Sequence, residues 1–327
     1  MKTLPKVFIV GESGTTGLRL QDRLSERKDI ELLHLPEDKR KDIPTIQAFA
    51  KEADLMFLCL PDAASKEVVE AVKDIPIRIL DTSTAHRTDD DWVYGFPELS
   101  KDQKEAISKA QKVAVPGCHA SGVISILYPL IHAGILPINY PLHCFSLTGY
   151  SGGGKKMIAE YEGESRDPEL DSPRQYGLTQ KHKHLPEMQV ICGLSKPPMF
   201  SPIVADYYSG MEVTVFLYPE ILNLPAGTAD ALSFLHGAYR KHYGNSCFVK
   251  VRALGAEQES RGFFGSNNLS GRDDMEIYVS GNNDRILVTS RFDNLGKGAS
   301  GAAVQNMNIA LGLDEATGLN VNLHGGD

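Results

Sequence analysis

Two groups of residues in this 327-residue chain are of types that do covalent chemistry together. Val115-Pro-Gly-Cys118-His-Ala-Ser-Gly122 leads from a short strand-like run into an apolar helix-like run. Cys118 therefore falls in the first turn of a helix, where free N–H groups and the helix dipole lower a thiol pKa and favour thiolate. A lone cysteine is by default a core residue, but the Pro-Gly turn before it and the helix after it favour a nucleophile. Lys181-His182-Lys-His184-Leu-Pro-Glu187 packs two imidazoles into three residues. In an extended stretch alternate residues share a face, so both rings would enter one cleft. A thiol nucleophile needs a base for its proton and an acid for the oxygen that gains charge, and histidine serves as both near neutral pH. His-x-His with Glu187 could instead bind zinc, as in a zinc hydrolase. No third or fourth ligand cluster accompanies it, so no metal is expected. A solvated basic loop is the plain alternative.

A third motif, Gly11-Glu-Ser13-Gly14-Thr15-Thr16-Gly17, follows a strand-like run and opens a helical one. Glycines let the backbone turn tightly and approach a pyrophosphate, which sits on the helix N-terminus. The spacing is GxxGxxG rather than GxGxxG, and its place between strand and helix is what points to a dinucleotide. Glu37 and Asp38 after the second strand could take a ribose hydroxyl, and Lys39, Arg40 and Lys41 could neutralise a 2′-phosphate. The residues alone leave NAD and NADP both open.

The elements that must position these groups change in character near residue 118. Apolar runs at 6–10, 30–35, 55–60, 77–80 and 112–115 alternate with helical spacing at 15–26 and 61–73. Continuous apolar strands separated by helices indicate a parallel sheet covered on both faces, the doubly wound, Rossmann-like α/β class. From about residue 142 longer strands are expected at 142–148, 211–218, 248–254, 275–280 and 285–292, with helices at 224–243 and 299–313. The last two strands flank Gly-Asn-Asn-Asp, a hairpin turn signal. This is a second, α+β domain on a mixed or antiparallel sheet. Residues 1–117, completed by a C-terminal helix within 296–327, are expected to bind the dinucleotide. Residues 118–295 are expected to hold catalysis, substrate and oligomer contacts. The segment 163–205, rich in Pro, His and charge, reads as irregular and functional.

Composition narrows the partners. With 34 Lys plus Arg against 42 Asp plus Glu the formal charge is −8, so no nucleic-acid partner is expected. The five cysteines are odd in number and form no CxxC pair, which suits a reducing compartment. The N-terminal run carries no signal-peptide pattern, and the apolar stretch 121–138 is broken by Pro129, His132, Gly134 and Pro137. A cytoplasmic protein without a membrane partner is expected.

Eight motifs in order, over essentially the whole chain, give it a close resemblance to the N-acetyl-γ-glutamyl-phosphate reductases in their shorter form. They are GESGTTG (11–17), LCLPD (58–62), LDTSTAHR (80–87), VYGFPEL (93–99), PGCHASG (116–122), LTGYSGGGKKM (147–157), KHKHLPEM (181–188) and NLGKGASGAAVQNMN (294–308). Aspartate-semialdehyde and phosphorylating glyceraldehyde-phosphate dehydrogenases are the more distant likenesses. The resemblance implies NADP(H) as cofactor and a small acyl phosphate as substrate, reduced through a cysteine thioester to a semialdehyde in arginine biosynthesis. It implies a homo-oligomer, dimer or tetramer. It makes Cys118 the nucleophile and His184 the acid/base, with His182 second in that role or a substrate contact. Tyr176, Arg87 and Lys155 are implied at the substrate. Gly11, Ser13, Gly14, Thr15, Thr16, Gly17, Ser83, Ser151, Gly152, Gly154, Asn294 and Lys297 are implied at the cofactor, with Asn294 toward the carboxamide. The same machinery would serve aspartyl, N-succinyl-glutamyl or N-acetyl-aminoadipyl phosphate. A dinucleotide sensor without turnover would need neither Cys118 nor the histidines.

Overall fold

The structure, a computed structural model, describes residues 3–12 and 14–322, without the Thr15 side chain. Ser13 lies outside the described residues. The chain divides into two compact units.

The first unit takes residues up to 97, 101–117 and 299–319. Its strands β1 (Lys6–Val10), β2 (Glu31–Leu33), β3 (Leu55–Leu58), β4 (Arg78–Asp81), β5 (Val93–Tyr94) and β6 (Lys112–Ala114) form a parallel sheet in the order β2-β1-β3-β4-β6-β5. Every residue of β3 is buried, as the unbroken apolar run requires of a strand covered on both faces. Alternate residues of β1 feed two separate cores. Val7 and Ile9 join Leu20, Leu24, Ile107, Ala303 and Met307, while Phe8 and Val10 join Ile46, Ala50, Val68 and Val72. The helices α1 (Thr15–Ser25), α2 (Ile43–Glu52), α3 (Asp62–Ala71) and α4 (Gln103–Lys109) belong to this unit, together with the C-terminal helix described below. α2, not expected from the sequence, carries its start signal plainly: Asp42 accepts from Thr45 N at 3.0 Å, and Pro44 occupies the first turn. The helix expected within 296–327 runs only Gly301–Leu311, preceded by a π turn at Gly296–Ser300. Gly312, at φ +68°, ends it in a left-handed cap.

The second unit takes 98–100, 118–298 and the described residues from 320. In chain order it holds α5 (Cys118–His132), β7 (His143–Gly149), α6 (Gly154–Glu162), β8 (Arg174–Gln175), α7 (Leu185–Cys192), β9 (Met199–Ala205), β10 (Met211–Leu217), α8 (Ala231–Tyr243), β11 (Val249–Val251), β12 (Met275–Gly281) and β13 (Ile286–Phe292). The seven strands make a mixed sheet in the order β11-β12-β13-β10-β7-β9-β8, with β7–β9 and β11–β12 parallel. The turn between β12 and β13 is the expected hairpin, with Asn282 Oδ1 accepting from Asp284 N and Arg285 N. α5 is buried nearly all round and packs on β10 and β13. Gly122 permits that approach, since a Cβ there would stand 2.4 Å from Val213.

The segment 163–205 is more regular than the sequence suggests. β9 is obscured by Pro202, which argues against an interior strand. It is tolerated because the outer neighbour β8 is two residues long, and the Pro202 carbonyl still accepts from Tyr176 N. α7 has Pro186 in its first turn and Gly193 at its end, at φ +69°. α8 begins at Ala231, not 224, because Asp230 caps it by accepting from Ser233 N. Among the described residues no helix is long and apolar enough to cross a membrane.

Candidate active site

Cys118 is the first residue of α5 and is half-buried. Gly298 lies against it: a methyl there would come within 3.0 Å of Cys118 Cβ and 3.1 Å of the Asp293 carbonyl. Three imidazoles gather in the same unit. Ring centroids stand 4.8 Å apart for His182–His184, 5.4 Å for His119–His182 and 5.6 Å for His119–His184.

His182 and His184 converge, but not for the reason their spacing suggests. Their segment is a turn, not a strand, and His184 is the buried N-cap residue of α7 in αR conformation. The backbone N–H of His184 donates to His182 Nδ1 at 3.2 Å, which puts the proton of a neutral His182 on Nε2. Burial, with Lys183 nearby, pulls the His182 pKa down to about 4.

His119 was not singled out by the sequence, although it follows the nucleophile directly. It is buried, and its two ring nitrogens stand 2.6 Å from Ser146 Oγ on β7 and 2.6 Å from the Tyr176 hydroxyl. Burial, then the neighbouring His182 and Lys183, holds its pKa down at about 3, so the ring is neutral at pH 7. Tyr176 thus joins the histidine group through His119, and burial and the Cys118 thiol keep its hydroxyl protonated. Three other thiols are poor nucleophiles: burial pushes Cys59 and Cys144 up to about 12 and raises Cys192 as well. Among the described residues no three His, Cys, Asp or Glu side chains are grouped to hold a metal.

The second glycine loop sits in the same unit. Gly154 has φ +75°, a conformation that favours glycine, and Lys155 is exposed in the first turn of α6. Gly152 is exposed beside the buried Ser151. Asn294 is buried and already committed: its Oδ1 accepts from Gly210 N at 2.9 Å and its Nδ2 donates to Ser151 Oγ at 3.0 Å. The sequence expects it at the cofactor carboxamide, and these two bonds also make it a positioning residue for Ser151. Lys297, expected at the cofactor, is likewise engaged within the protein. Its ammonium is 1% exposed, lies 2.7 Å from Glu98 Oε2 and sits over the Phe248 ring, so a buried ion pair occupies it.

In the first unit Gly11 and Gly17 stand where the close approach of backbone leaves no room for a side chain. Gly11 has φ +94°, and a Cβ on it would stand 2.4 Å from the Cys59 carbonyl. A Cβ on Gly17 would stand 2.3 Å from the Gly11 carbonyl. Gly14 is the N-cap of α1, with no side-chain cap bond and no acidic residue in the first turn, and Thr16 follows within that turn. Free backbone donors at an unblocked helix N-terminus fit a dinucleotide's phosphates. Ser83 and His86 both bind the fully buried Asp81 carboxylate, at 2.7 and 2.6 Å. Arg87 is buried and turned to backbone, with Nε donating to the Val115 carbonyl and Nη2 to that of Thr82. These donors brace the strand ends ahead of Cys118, where the sequence suggested a contact to a substrate anion.

Comparison with known proteins agrees over both units. Residues 6–109 match the family described as the NAD binding domain of semialdehyde dehydrogenase, and residues 118–294 match its dimerisation domain. The N-acetyl-γ-glutamyl-phosphate reductase of Brucella anthropi is 44% identical over 312 residues, covering 94% of this chain and 99% of that protein. The enzyme of Brucella ovis is 43% identical over the same span. Among solved structures, aspartate semialdehyde dehydrogenase II of Vibrio cholerae, complexed with ASA, has a TM-score of 0.69 at 16% identity, covering 95% of this chain and 99% of that one. The Candida albicans enzyme with NADP has a TM-score of 0.60 at 14% identity, covering 94% and 98%. Those two likenesses concern the fold, while the identity to the Brucella proteins reaches the family. The chain belongs to the N-acetyl-γ-glutamyl-phosphate reductases, a family of the semialdehyde dehydrogenases.

Proposed function

We propose that this chain reduces N-acetyl-γ-glutamyl phosphate to N-acetyl-glutamate semialdehyde and phosphate, with NADPH as reductant, as a cytoplasmic homo-oligomer in arginine biosynthesis. The observation that carries the chemistry is the cluster of His119, His182 and His184 in one unit with a thiol at the start of α5. An acyl phosphate suits a thiolate because it carries a good leaving group. Cys118 loses its proton to His184, its sulfur attacks the acyl carbon, and the C–O bond to phosphate breaks to leave a thioester. NADPH, when bound, would supply the hydride for the thioester carbon, and the glycine turn would hold its phosphates. Backbone N–H groups at the start of α5 stabilise the oxygen as it gains charge. The C–S bond then breaks, the aldehyde leaves, and the electron pair returns to Cys118.

Between the two candidate histidines the balance falls on His184. The resemblance of the histidine motif assigns the base to His184, and burial holds the His182 pKa at about 4, low for a base at neutral pH. With its Nδ1 occupied by the His184 N–H, His182 is suited to donate from Nε2 to a substrate oxygen. Lys155 and Tyr176 are proposed to meet the substrate, and the turn at 11–17 with Ser83, Ser151, Gly152 and Gly154 to line the cofactor.

The test is the reverse reaction: NADPH formation from NADP, N-acetyl-glutamate semialdehyde and inorganic phosphate, for wild type and Cys118→Ala. Phosphate-dependent activity that vanishes in the variant is expected. A wild type that binds NADP but leaves this aldehyde unchanged refutes the acyl group, and the N-succinyl, aspartate and aminoadipate semialdehydes are tried next. A fully active Cys118→Ala refutes the nucleophile.

A further inference from the structure

His119, the residue after the nucleophile, bridges two hydroxyls, and the bridge has a direction. Its ring is neutral, so one nitrogen carries a proton and the other accepts. Two arrangements are possible. With the proton on Nδ1, His119 donates to Ser146 Oγ and accepts from the Tyr176 hydroxyl. With the proton on Nε2, Ser146 donates to Nδ1 and His119 donates to the Tyr176 oxygen.

The surroundings of the two hydroxyls decide between them. Ser146 is fully buried on β7, and among the described residues its hydroxyl has no partner besides His119 Nδ1. In the first arrangement the Ser146 proton is sealed away from water with no acceptor, which is costly. In the second it is satisfied by Nδ1. The displaced demand falls on Tyr176, which is partly exposed, and whose proton then points away from His119. A hydroxyl on a partly exposed side chain has water or substrate within reach, and one on a fully buried side chain does not.

We propose that Ser146 and His119 act as a tautomer lock: Ser146 fixes the His119 proton on Nε2, and His119 turns the Tyr176 O–H outward as a hydrogen-bond donor to substrate. His119 and Ser146 are then positioning residues acting through Tyr176. The role assigned to Tyr176 rests on the reduction proposed above; the tautomer itself does not.

Two measurements on the intact chain separate these levels. Long-range proton–nitrogen NMR of the 15N-histidine-labelled protein reads the tautomer of each ring, and His119→Gln identifies the His119 signal. The lock requires the Nε2–H form in wild type and in Ser146→Thr, and a shift toward Nδ1–H in Ser146→Ala. An Nδ1–H signal in wild type overturns the proposal, whatever the enzyme's activity. The second measurement is a kinetic cycle. Ser146→Ala is expected to lower kcat about fivefold, the loss of one oriented hydrogen bond. Ser146→Thr retains most of the activity. In a Tyr176→Phe background Ser146→Ala changes kcat by less than about twofold, because no hydroxyl remains to be oriented. An equal loss in both backgrounds makes Ser146 a packing residue and refutes the lock. Wild type inactive on N-acetyl-γ-glutamyl phosphate refutes the substrate reading and leaves the NMR result to judge the lock.

Discussion

The buried neutral state of His119 makes the stability of this protein fall on acidification by an amount that can be calculated. An exposed histidine titrates near 6.5, and burial beside His182 and Lys183 holds the folded His119 at about 3. Above about pH 6.5 neither folded nor unfolded chain is protonated at this residue, and its contribution to stability is complete. As the pH falls, the unfolded chain takes up the proton first, and the folded state loses ground until about pH 3. At pH 5 the unfolded ring is almost fully charged and the folded one almost fully neutral, so about 2 kcal/mol is lost relative to pH 7.5. That figure barely changes for any folded pKa below about 4, because at pH 5 the unfolded state sets it. Urea unfolding followed by circular dichroism, on wild type and His119→Gln at pH 7.5 and pH 5, isolates the effect. His182 and the carboxylates titrate in both proteins and cancel in the difference. Wild type should lose about 2 kcal/mol more than the variant between the two pH values. Equal losses would mean that His119 is solvated or already charged in the folded chain, and the neutral bridge to Ser146 and Tyr176 would fall with it.

Two substitutions elsewhere test the other structural assignments. Gly17→Ala places a methyl 2.3 Å from the Gly11 carbonyl, whereas at Gly14 the nearest atom is 3.5 Å away. Calorimetric titration with NADPH should show affinity falling at least about tenfold for Gly17→Ala and little for Gly14→Ala, since a turn forced open by about 1 Å loses its aligned donors. Comparable affinities would dissociate the turn from the nucleotide. Glu98→Ala removes the carboxylate from beside the buried Lys297 ammonium and should cost about 3 kcal/mol in unfolding free energy, with NADPH affinity within about twofold of wild type. A large loss of affinity at unchanged stability would return Lys297 to the cofactor.

The sheet of the first unit was legible because its strands are unbroken apolar runs, and β1 falls at Lys6–Val10 as the pattern indicates. What escaped was written in weaker signals. α2 has Asp42 as its cap, Pro44 in its first turn and Ile43, Ile46, Phe49, Ala50 and Ala53 at helical spacing, but a single apolar face of small and mixed residues between two strands is easily read as a connection. Pro202 hid β9 because its tolerance depends on the short β8 beside it, which is tertiary information. At the site, residue types were readable and pairings were not. Asn294 and Lys297 carry groups suited to a cofactor, but their partners Gly210, Ser151 and Glu98 lie from 84 to 199 residues away. Only the fold shows which protein groups they bond to. His182 and His184 were paired correctly on a wrong premise: a turn at the start of α7, not strand alternation, brings their rings to 4.8 Å.

His119 escaped for a reason that also explains its use. Successive residues of an α-helix point about 100° apart, so neighbours in sequence face different surroundings. Cys118 packs against Gly298, while His119 reaches Ser146 on β7 and the Tyr176 hydroxyl. A single turn of α5 therefore presents a thiol on one side and an imidazole braced against the sheet on another. The imidazole could not serve the thiol as base with a pKa near 3, since it would hold a proton too weakly at neutral pH. Its burial suits it to the opposite task, a fixed neutral dipole between two hydroxyls. His184, proposed above for the acid/base work, arrives from a separate segment at the start of α7.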